Sequence, residues 1–433
     1  MTKKTSIVLL CLITVVALFF GIFAFILDGQ HVGINDYHSA YGLIQKSGMF
    51  GDTIAASYKM DEEANADDVV KILKTRLEKI FAYYSVEVTA KDSVVTVNLP
   101  KASYSKTDGD ETTTAVDNRV LNAIKQKGNF EILSTQYTSS TTSDPTYSKD
   151  AVVLDQSGLR GATTRSYANG DNVAFICQAR LTKEGSALVD KAKLSDGSMY
   201  YCALDGTISN IALYQNGQFQ IYGNARTGRE ADVCVNAKLV ASIINNGALN
   251  AQLTDIEQPE VVNETGWVFA AVMGAIVLIT FVFMAIRYKT LGIAGILSQL
   301  IVSVVFVYAL AYISMSMFNL FAAIALVLAY AFMTFFTVFT FERIIAINKE
   351  KTFATSAYQG FRSVNIISLI AHGALLVLGI IFWVIPTAVT APMGTIFVYG
   401  ALLSFAATFG LNRLFVKFVE PFYETSGRTN AKK

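Results

Sequence analysis

Residues 318–344 read FNLFAAIALVLAYAFMTFFTVFTFERI, an apolar run that ends in the charged pair Glu342-Arg343. A transmembrane helix needs about 20 mainly apolar residues, and residues 318–340 supply them without a single Asp, Glu, Lys or Arg. Because a charged side chain at the centre of such a helix costs roughly 2.5 to 3.5 kcal/mol on insertion scales, this run predicts a membrane-spanning helix.

The same composition recurs on both sides of this run. Five further segments lack charged residues and are about long enough to cross a bilayer: 6–27, 267–286, 291–313, 364–385 and 393–411. The sequence therefore predicts a multi-pass α-helical membrane protein with six transmembrane helices. The first run is longer than the roughly 7 to 15 apolar residues of a signal-peptide core, so we expect residues 1–28 to remain as a signal anchor.

The 433 residues are 52% hydrophobic and 16% charged, which is typical of a membrane protein that carries a soluble domain. We expect residues 266–416 to form a five-helix membrane bundle and residues 417–433 to form a cytoplasmic tail. The polar residues between the anchor and this bundle, 29–265, are predicted to be a separate domain.

Residues 29–265 alternate between helix and strand patterns, which predicts an α+β domain. The patterns run strand, helix, strand, strand, helix and strand over residues 53–60, 66–84, 85–89, 93–99, 116–126 and 129–133. This order is that of a ferredoxin-like layer. Further strand patterns predict a head inserted into this base around residues 135–225.

The charges are distributed unevenly along the chain. Acidic residues outnumber basic ones between residues 28 and 265, whereas basic residues dominate the remainder. If the first helix runs outward, every Lys and Arg of that remainder lies on one side of the membrane, which is the positive-inside pattern. We therefore expect cytoplasmic N and C termini and an extracytoplasmic domain at residues 29–265. The acidity of this domain argues against nucleic acid as its partner.

No motif of an enzyme or a metal site is present. The sequence has no Walker loop, no HExxH and no GxSxG, so we expect no enzymatic activity, no metal and no cofactor. The three cysteines of residues 29–265, Cys177, Cys202 and Cys234, lack metal-type CxxC spacing. They are expected to be buried thiols, with at most one disulfide as the alternative.

Five short motifs are similar to one known family. They are LTKEG at 181–185, LDG at 204–206, GALNAQL at 247–253, YKTLG at 288–292 and FERI at 341–344. In this order, and with one anchor followed by a large domain and five further spans, the chain resembles the SecD subunit of the bacterial Sec protein-export machinery, within the RND superfamily. In the third motif both prolines of the family pattern are replaced.

The resemblance implies a proton relay of membrane carboxylates, and at these positions the chain departs from the family. The family's fourth span carries Asp-Ala-Asn shortly before Phe-Glu-Arg, and counting back from Phe341 places the Asp at Phe335 and the Asn at Thr337. A second Asp-x-Asn of the family matches Ser363-Val364-Asn365, so that only Asn365 is kept. A Phe cannot bind a proton, and this chain lacks the acid that the relay requires.

Two polar features of the membrane runs are further candidate sites. His372 is the sole Asp, Glu, His, Lys or Arg within them, and such a residue is a functional hypothesis by default. The alternative is a neutral histidine bonded to a neighbouring helix. Thr334, Thr337 and Thr340 recur every third residue along one side of a helix, where they either pack against other helices or border a hydrated path.

The end of the quoted run, Phe341-Glu342-Arg343, lies at the predicted cytoplasmic boundary. There it either contacts a partner subunit or forms a solvated pair.

The resemblance implies an accessory role in protein export across the cytoplasmic membrane of a bacterium. Its implied partners are a SecF-like membrane subunit, the Sec channel proteins, exported polypeptides and the lipid bilayer. Two alternatives stay open, an RND-type exporter subunit for small molecules or lipids and a membrane scaffold that transports nothing. A transporter should line the membrane midplane with polar groups, and only His372 and the threonine face qualify.

Overall fold

The structure is a computed structural model that describes residues 2–26, 30–32, 35–61, 65–106, 114–137, 148–169, 172–223, 230–249, 251–256, 260–263, 266–313, 319–385 and 390–430. Its helices are α1 Lys3–Ile26, α2 Ala40–Gln45, α3 Ala66–Phe81, α4 Asn118–Lys125, α5 Lys183–Ala192, α6 Glu230–Asn246, α7 Gly266–Tyr288, α8 Thr290–Tyr308, α9 Leu320–Asn348, α10 Phe353–Val384, α11 Thr390–Ala406 and α12 Asn412–Asn430. Its strands are β1 Gln30–Val32, β2 Asn35–Tyr37, β3 Thr53–Met60, β4 Val88–Lys91, β5 Val94–Pro100, β6 Tyr104–Lys106, β7 Thr114–Val116, β8 Phe130–Gln136, β9 Val152–Asp155, β10 Leu159–Asn169, β11 Asn172–Leu181, β12 Met199–Leu204, β13 Thr207–Gln215, β14 Gln218–Gly223, β15 Leu253–Asp255 and β16 Glu260–Asn263.

The chain divides into two compact units. The membrane unit consists of Met1–Gly29, Tyr37–Ile44 and Thr265–Lys433, and the β-rich unit consists of Gln30–Asp36 and Gln45–Glu264. Nearly all strands therefore belong to one unit and the long apolar helices to the other.

Six helices in the described part of the membrane unit are long and apolar enough to cross a bilayer. They are Lys3–Ile26, Trp267–Tyr288, Thr290–Ala311, Leu320–Asn348, Phe353–Val384 and Thr390–Tyr423. The predicted multi-pass class with six spans is confirmed.

Several helices extend beyond the apolar runs that predicted them. α10 begins at Phe353, well before residue 364, because a charged residue such as Arg362 ends an apolar run without ending the helix and can extend its stem to the interface. The sixth span does not stop at Leu411. Five residues of π-helix, Ala407–Leu411, lead directly into α12, which continues across the predicted boundary at residue 416.

Two glycines allow the helices of the membrane unit to approach closely. A Cβ on Gly292 of α8 would lie 2.2 Å from the Met284 carbonyl oxygen of α7, and a Cβ on Gly295 would lie 2.7 Å from Cε2 of Phe341. Small residues at such positions let membrane helices pack backbone to backbone. Phe341 is fully buried there, so α7, α8 and α9 share one core.

The five-stranded sheet of the β-rich unit has the order β15-β3-β5-β4, with β16 paired to β3. α3 begins at the cap residue Asn65 and buries Val69, Leu73 and Leu77 in the core that this sheet shares, as the helical spacing predicts. The prediction that residues 129–133 supply the fourth strand of this layer is wrong. That edge, next to β3, is occupied by β15, because β8 pairs in the other sheet.

The second sheet has seven strands in the order β10-β11-β14-β13-β12-β8-β9. The Asp205-Gly206 and Asn216-Gly217 turns, all four residues with positive φ, close its hairpins as their sequence predicts. The sequence patterns missed β9 and β10. β10 is rich in Thr, Arg and Ser, yet it pairs along most of β11, and α6 packs against both strands.

A buried arginine joins elements of the β-rich unit. Arg76 of α3 is 1% exposed, and its guanidinium donates to the carbonyl oxygens of Ala123 at 3.2 Å, Gln126 at 2.5 Å and Lys127 at 2.9 Å. These carbonyls belong to the end of α4 and the residues after it. The last carbonyl groups of a helix have no hydrogen-bond donors within the helix, and here Arg76 supplies donors. Burial lowers the pKa of Arg76 to about 10, so the guanidinium stays charged at neutral pH.

The cysteines of this unit are buried. Cys177 and Cys202 are free thiols, as expected from the sequence, and Cys234 is buried as well. Burial raises the pKa of Cys177 to about 12 and also raises the pKa of Cys202. Neither thiol therefore supplies a reactive thiolate at neutral pH.

Candidate functional site

The threonine face of α9 lies inside the membrane unit. Thr337 and Thr340 are fully buried, and their hydroxyls donate to the carbonyl oxygens of Met333 at 3.2 Å and Phe336 at 2.7 Å within the same helix. The Thr337 hydroxyl also accepts a hydrogen bond from Nδ2 of Asn412 at 3.2 Å. This contact links the middle of α9 to the start of α12.

The third threonine of this face is bonded to a residue that the sequence reasoning missed. Gln299 of α8 is fully buried, and its Nε2 donates to Oγ1 of Thr334 at 3.1 Å. Its Oε1 lies 3.4 Å from the Tyr330 hydroxyl. The signal was present in the sequence, because a carboxamide in a membrane run must find partners within the protein.

Phe335, which the resemblance matched to the family's acid, lies on the surface of the membrane unit. Its side chain is 58% exposed. Its ring stacks on that of Phe339 with centroids 5.9 Å apart and planes 9° apart, and the Arg343 guanidinium lies 5.3 Å from the centre of the Phe339 ring. The family position therefore points out of this unit.

His372 is buried between α10 and α11. Its Nδ1 is 2.6 Å from the carbonyl oxygen of Ser368 and its Nε2 is 2.9 Å from Oγ of Ser404. Since a carbonyl oxygen only accepts, Nδ1 carries a proton, and the Ser404 hydroxyl can donate to Nε2 of the neutral ring. Phe332 and Phe336 face the ring at centroid distances of 4.9 and 5.0 Å.

In the described part of the chain, neither ring nitrogen of His372 is bonded to a carboxylate. The imidazole ties α10 to α11 through its contact with Ser404.

Ser363 and Asn365, which the resemblance matched to the family's second Asp-x-Asn, have different partners. The Ser363 hydroxyl donates to the Gly360 carbonyl of its own helix at 2.8 Å. The Oδ1 of Asn365 accepts from Nη2 of Arg413 at 2.6 Å, and this guanidinium lies 5.3 Å from the ring centre of Phe361. Among the described residues, Asn365 is thus bonded to the guanidinium of Arg413 on α12, and not to a carboxylate.

The boundary motif Phe341-Glu342-Arg343 connects α9 to the end of α7. Phe341 meets the Tyr288 ring edge to face at 5.5 Å. Glu342 accepts a hydrogen bond from the Tyr288 hydroxyl at 2.9 Å and forms an ion pair with Arg287 at 3.0 Å. Both charged side chains are partly exposed, so this pair contributes little stability and mainly sets the contact between the two helix ends.

The structure does not bring the sequence candidates together into one catalytic or relay centre. Thr334 and Thr337 face inward and Phe335 faces outward, whereas His372 and Asn365 bind other helices. In the described residues no group of three or more His, Cys, Asp or Glu side chains could hold a metal ion. The polar groups named here are hydroxyls, amides and one imidazole, and their hydrogen bonds join neighbouring helices.

Solved structures of known proteins are similar to this chain in fold. No family model and no curated protein matches the sequence. The crystal structure of SecDF in its super-membrane-facing form matches with a TM-score of 0.63 and 17% identity, covering 96% of this chain and 58% of that chain. A structure of the membrane component SecDF that enhances protein export gives a TM-score of 0.32 and 15% identity, covering 47% of this chain and 98% of that chain.

The first match includes nearly the whole chain, whereas this chain spans only 58% of the length of that SecDF chain. It extends over both the six apolar helices and the β-rich unit. The resemblance drawn from the five sequence motifs is therefore confirmed at the level of the fold, which is SecD-like.

Proposed function

We propose that this chain is a SecD-like accessory subunit that assists the export of proteins across a bacterial cytoplasmic membrane. The observation that carries the proposal is the likeness of fold to SecDF over 96% of the chain. The β-rich unit would contact emerging polypeptide on the outer side, and the membrane unit would anchor it beside the Sec channel proteins. The role is one of binding and positioning, without an enzymatic step.

The proposed membrane partner is a SecF-like subunit. The chain corresponds to 58% of the length of the matched SecDF chain, and a SecF-like subunit would be the counterpart of the remaining part of that chain. The outer face of α9 is the proposed contact, since Ile324, Leu328 and Phe335 are exposed there and their spacing places them on one side of the helix. Phe335 occupies the position at which the family places an acid.

We further propose that this chain does not carry the proton path itself. Moving one charge through the membrane potential yields about 2.3 kcal/mol per 100 mV, and capturing that energy requires a titratable relay. Phe335 cannot titrate, and His372 has hydrogen-bond partners at both ring nitrogens. A proton path would then belong to the partner, or the complex would act without one.

Purification from native membranes in a mild detergent tests the export role. We expect a SecF-like subunit and Sec channel proteins to co-purify in near-stoichiometric amounts. A photo-crosslinking residue at Phe335 should form an adduct with the SecF-like subunit, whereas one at Ile286, which is 74% exposed on α7, serves as a lipid-facing control.

The outcome separates the alternatives. Co-purification of a transport partner without any Sec component would contradict the export role and favour an RND-type exporter of small molecules or lipids. Purification of this chain without any transport partner would favour a membrane scaffold.

A further inference from the structure

The membrane unit contains a cavity of about 450 Å³. Its walls are formed by α7, α8, α9 and α11, and Phe25 of α1 and Leu43 of α2 complete the lining. This volume lies within the range of roughly 300 to 1,000 Å³ typical of small-molecule sites. It far exceeds the ~10 to 15 Å³ that one water molecule needs, so the cavity is large enough for a ligand.

The lining of the cavity is almost wholly apolar. Ser303 and Tyr330 are the two lining residues with a polar side chain, and the rest are aliphatic, aromatic, methionine, alanine or glycine. The Tyr330 hydroxyl already lies 3.4 Å from Gln299, and the Ser303 hydroxyl has no partner among the described residues. Water or a polar solute would lose most of its hydrogen bonds here, so the lining favours a hydrocarbon.

The length of the cavity distinguishes an acyl chain from a helix of a partner protein. The lining residues of α7 run from Phe269 to Val277, and those of α8 and the π-helical turn after it run from Val302 to Ala311. These spans correspond to rises of about 12 and 14 Å. Both are less than half of a hydrocarbon core of about 30 Å. A transmembrane helix would need contact along the whole core and a slot roughly 10 to 12 Å wide, whereas an acyl chain is narrower and lies in one leaflet.

We therefore propose that this cavity binds one acyl chain of a membrane phospholipid. The surrounding bilayer presents acyl chains to the protein at all times, and a bound chain restores the dispersion contacts that an empty void lacks. Met273 of α7 and Met333 of α9 both line the cavity. Their flexible thioethers adapt to an acyl chain of variable conformation. The site depends on the membrane environment alone and is independent of the proposed role in export.

Gly274 provides a variant that fills the cavity. It lines the cavity, and no heavy atom of the described residues lies within 4 Å of the Cβ that a larger residue would add. Gly274→Leu should therefore project into the cavity without a clash. Gly373→Leu is the matched control, because its Cβ is equally unobstructed and Gly373 lies on the exposed side of α10, outside the lining.

The test uses the full chain in vesicles of phosphatidylethanolamine and phosphatidylglycerol that contain a phosphatidylglycerol with a diazirine in one acyl chain. After illumination, mass spectrometry compares adducts on peptides around Met273 and Met333 with adducts on the exposed residues Ile366 and Ile370. Each displaced methylene changes a binding constant by roughly fourfold, so a leucine should lower the cavity adducts by roughly tenfold or more. The adducts on the exposed residues should stay unchanged.

Two results would overturn the proposal. One is an equal yield of cavity adducts in wild type, Gly274→Leu and Gly373→Leu. The other is a polypeptide adduct, in native membranes, to a photo-crosslinking residue placed at Met273, which would assign the cavity to a protein segment.

A titration of the wild-type chain keeps the test independent of how the variant folds. As the fraction of labelled lipid rises, cavity adducts should saturate while adducts on the exposed residues rise in proportion. Proportional labelling at both places would contradict a binding site.

Discussion

Phe335 and Thr337 are two residues apart on α9 and lie on different sides of it. Phe335 is 58% exposed on the surface of the membrane unit, whereas Thr337 is fully buried and bonded to Asn412. The two positions that the resemblance matched to the family's Asp and Asn therefore face different surroundings. An acid restored at residue 335 would point away from the buried polar groups of this chain and could work only with groups of another subunit.

This geometry predicts the result of restoring the acid. In Phe335→Asp, export should not improve and the amount of protein in the membrane should fall, because an aspartate among apolar groups within the membrane costs roughly 2.5 to 3.5 kcal/mol. Phe335→Leu should keep the wild-type amount. Pulse-labelled export of a secreted reporter and immunoblots of membranes measure both effects. A clear gain of export in Phe335→Asp would show that the partner still offers the rest of a relay.

The contact of His372 with Ser404 predicts a coupled effect on stability. Ser404→Ala leaves Nε2 of His372 without its partner at 2.9 Å and should destabilise by about 1 kcal/mol. His372→Leu removes the imidazole, so adding Ser404→Ala to it should cost much less than in wild type.

Thermal unfolding of the purified protein in detergent gives the four midpoints of this cycle, with the exposed Ser363→Ala as a neutral control. Strictly additive shifts would mean that the two side chains do not interact.

Close approach of α8 to α7 predicts opposite effects of two glycine substitutions. Gly292→Ala would place its Cβ 2.2 Å from the Met284 carbonyl oxygen, a backbone atom that cannot move aside, so it should destabilise by at least about 1 to 3 kcal/mol. Gly373→Ala adds a methyl group in open space on an exposed helix face and should be neutral or stabilising, since alanine favours helix by about 1 kcal/mol over glycine. Equal unfolding midpoints of the two variants in detergent would contradict the packing seen here.

The membrane part of the fold was predictable because its signal is composition over about 20 residues. Six runs without charge correspond to the six spans. What these runs could not show is where a helix ends, since a single Arg362 stops an apolar run while α10 continues through it. They also could not show which polar groups meet, because the contacts of Gln299 with Thr334 and of Asn412 with Thr337 join separate helices.

In the β-rich unit, local patterns predicted elements better than their pairing. The spacing of Val69, Leu73 and Leu77 defines one buried face of α3, and Thr182 caps α5 as its sequence indicates. The fourth strand of the five-stranded sheet was assigned to the wrong segment. β15 is only three residues long, Leu-Thr-Asp, and has no strand pattern of its own, so its pairing depends on contacts distant in sequence. Likewise, the sequence around Arg76 does not predict that its side chain is buried, because its hydrogen-bond partners follow 47 to 51 residues later in the chain.

Burial of Arg76 makes it a strong test of the structure of the β-rich unit. Arg76→Met keeps an unbranched stem but removes the donors for the carbonyl oxygens of Ala123, Gln126 and Lys127. An unsatisfied buried acceptor costs about 1 to 3 kcal/mol, so amide hydrogen exchange of the full chain should accelerate in α3, α4 and β8. Arg180→Met, at an exposed position of β11, should leave these amides as they are in wild type.

The pH dependence gives this last prediction a sign. Burial lowers the pKa of Arg76 from 12.5 to about 10 in the folded protein. Only between these two pH values does the unfolded chain bind more protons at Arg76 than the folded chain does. The free energy of unfolding would therefore rise with pH through this group only in that interval. Between about pH 6 and 9 the guanidinium is charged in both states, and the difference between wild type and Arg76→Met should stay constant. A difference that changes across this window would show that Arg76 is not charged and bonded to these carbonyls in the folded protein.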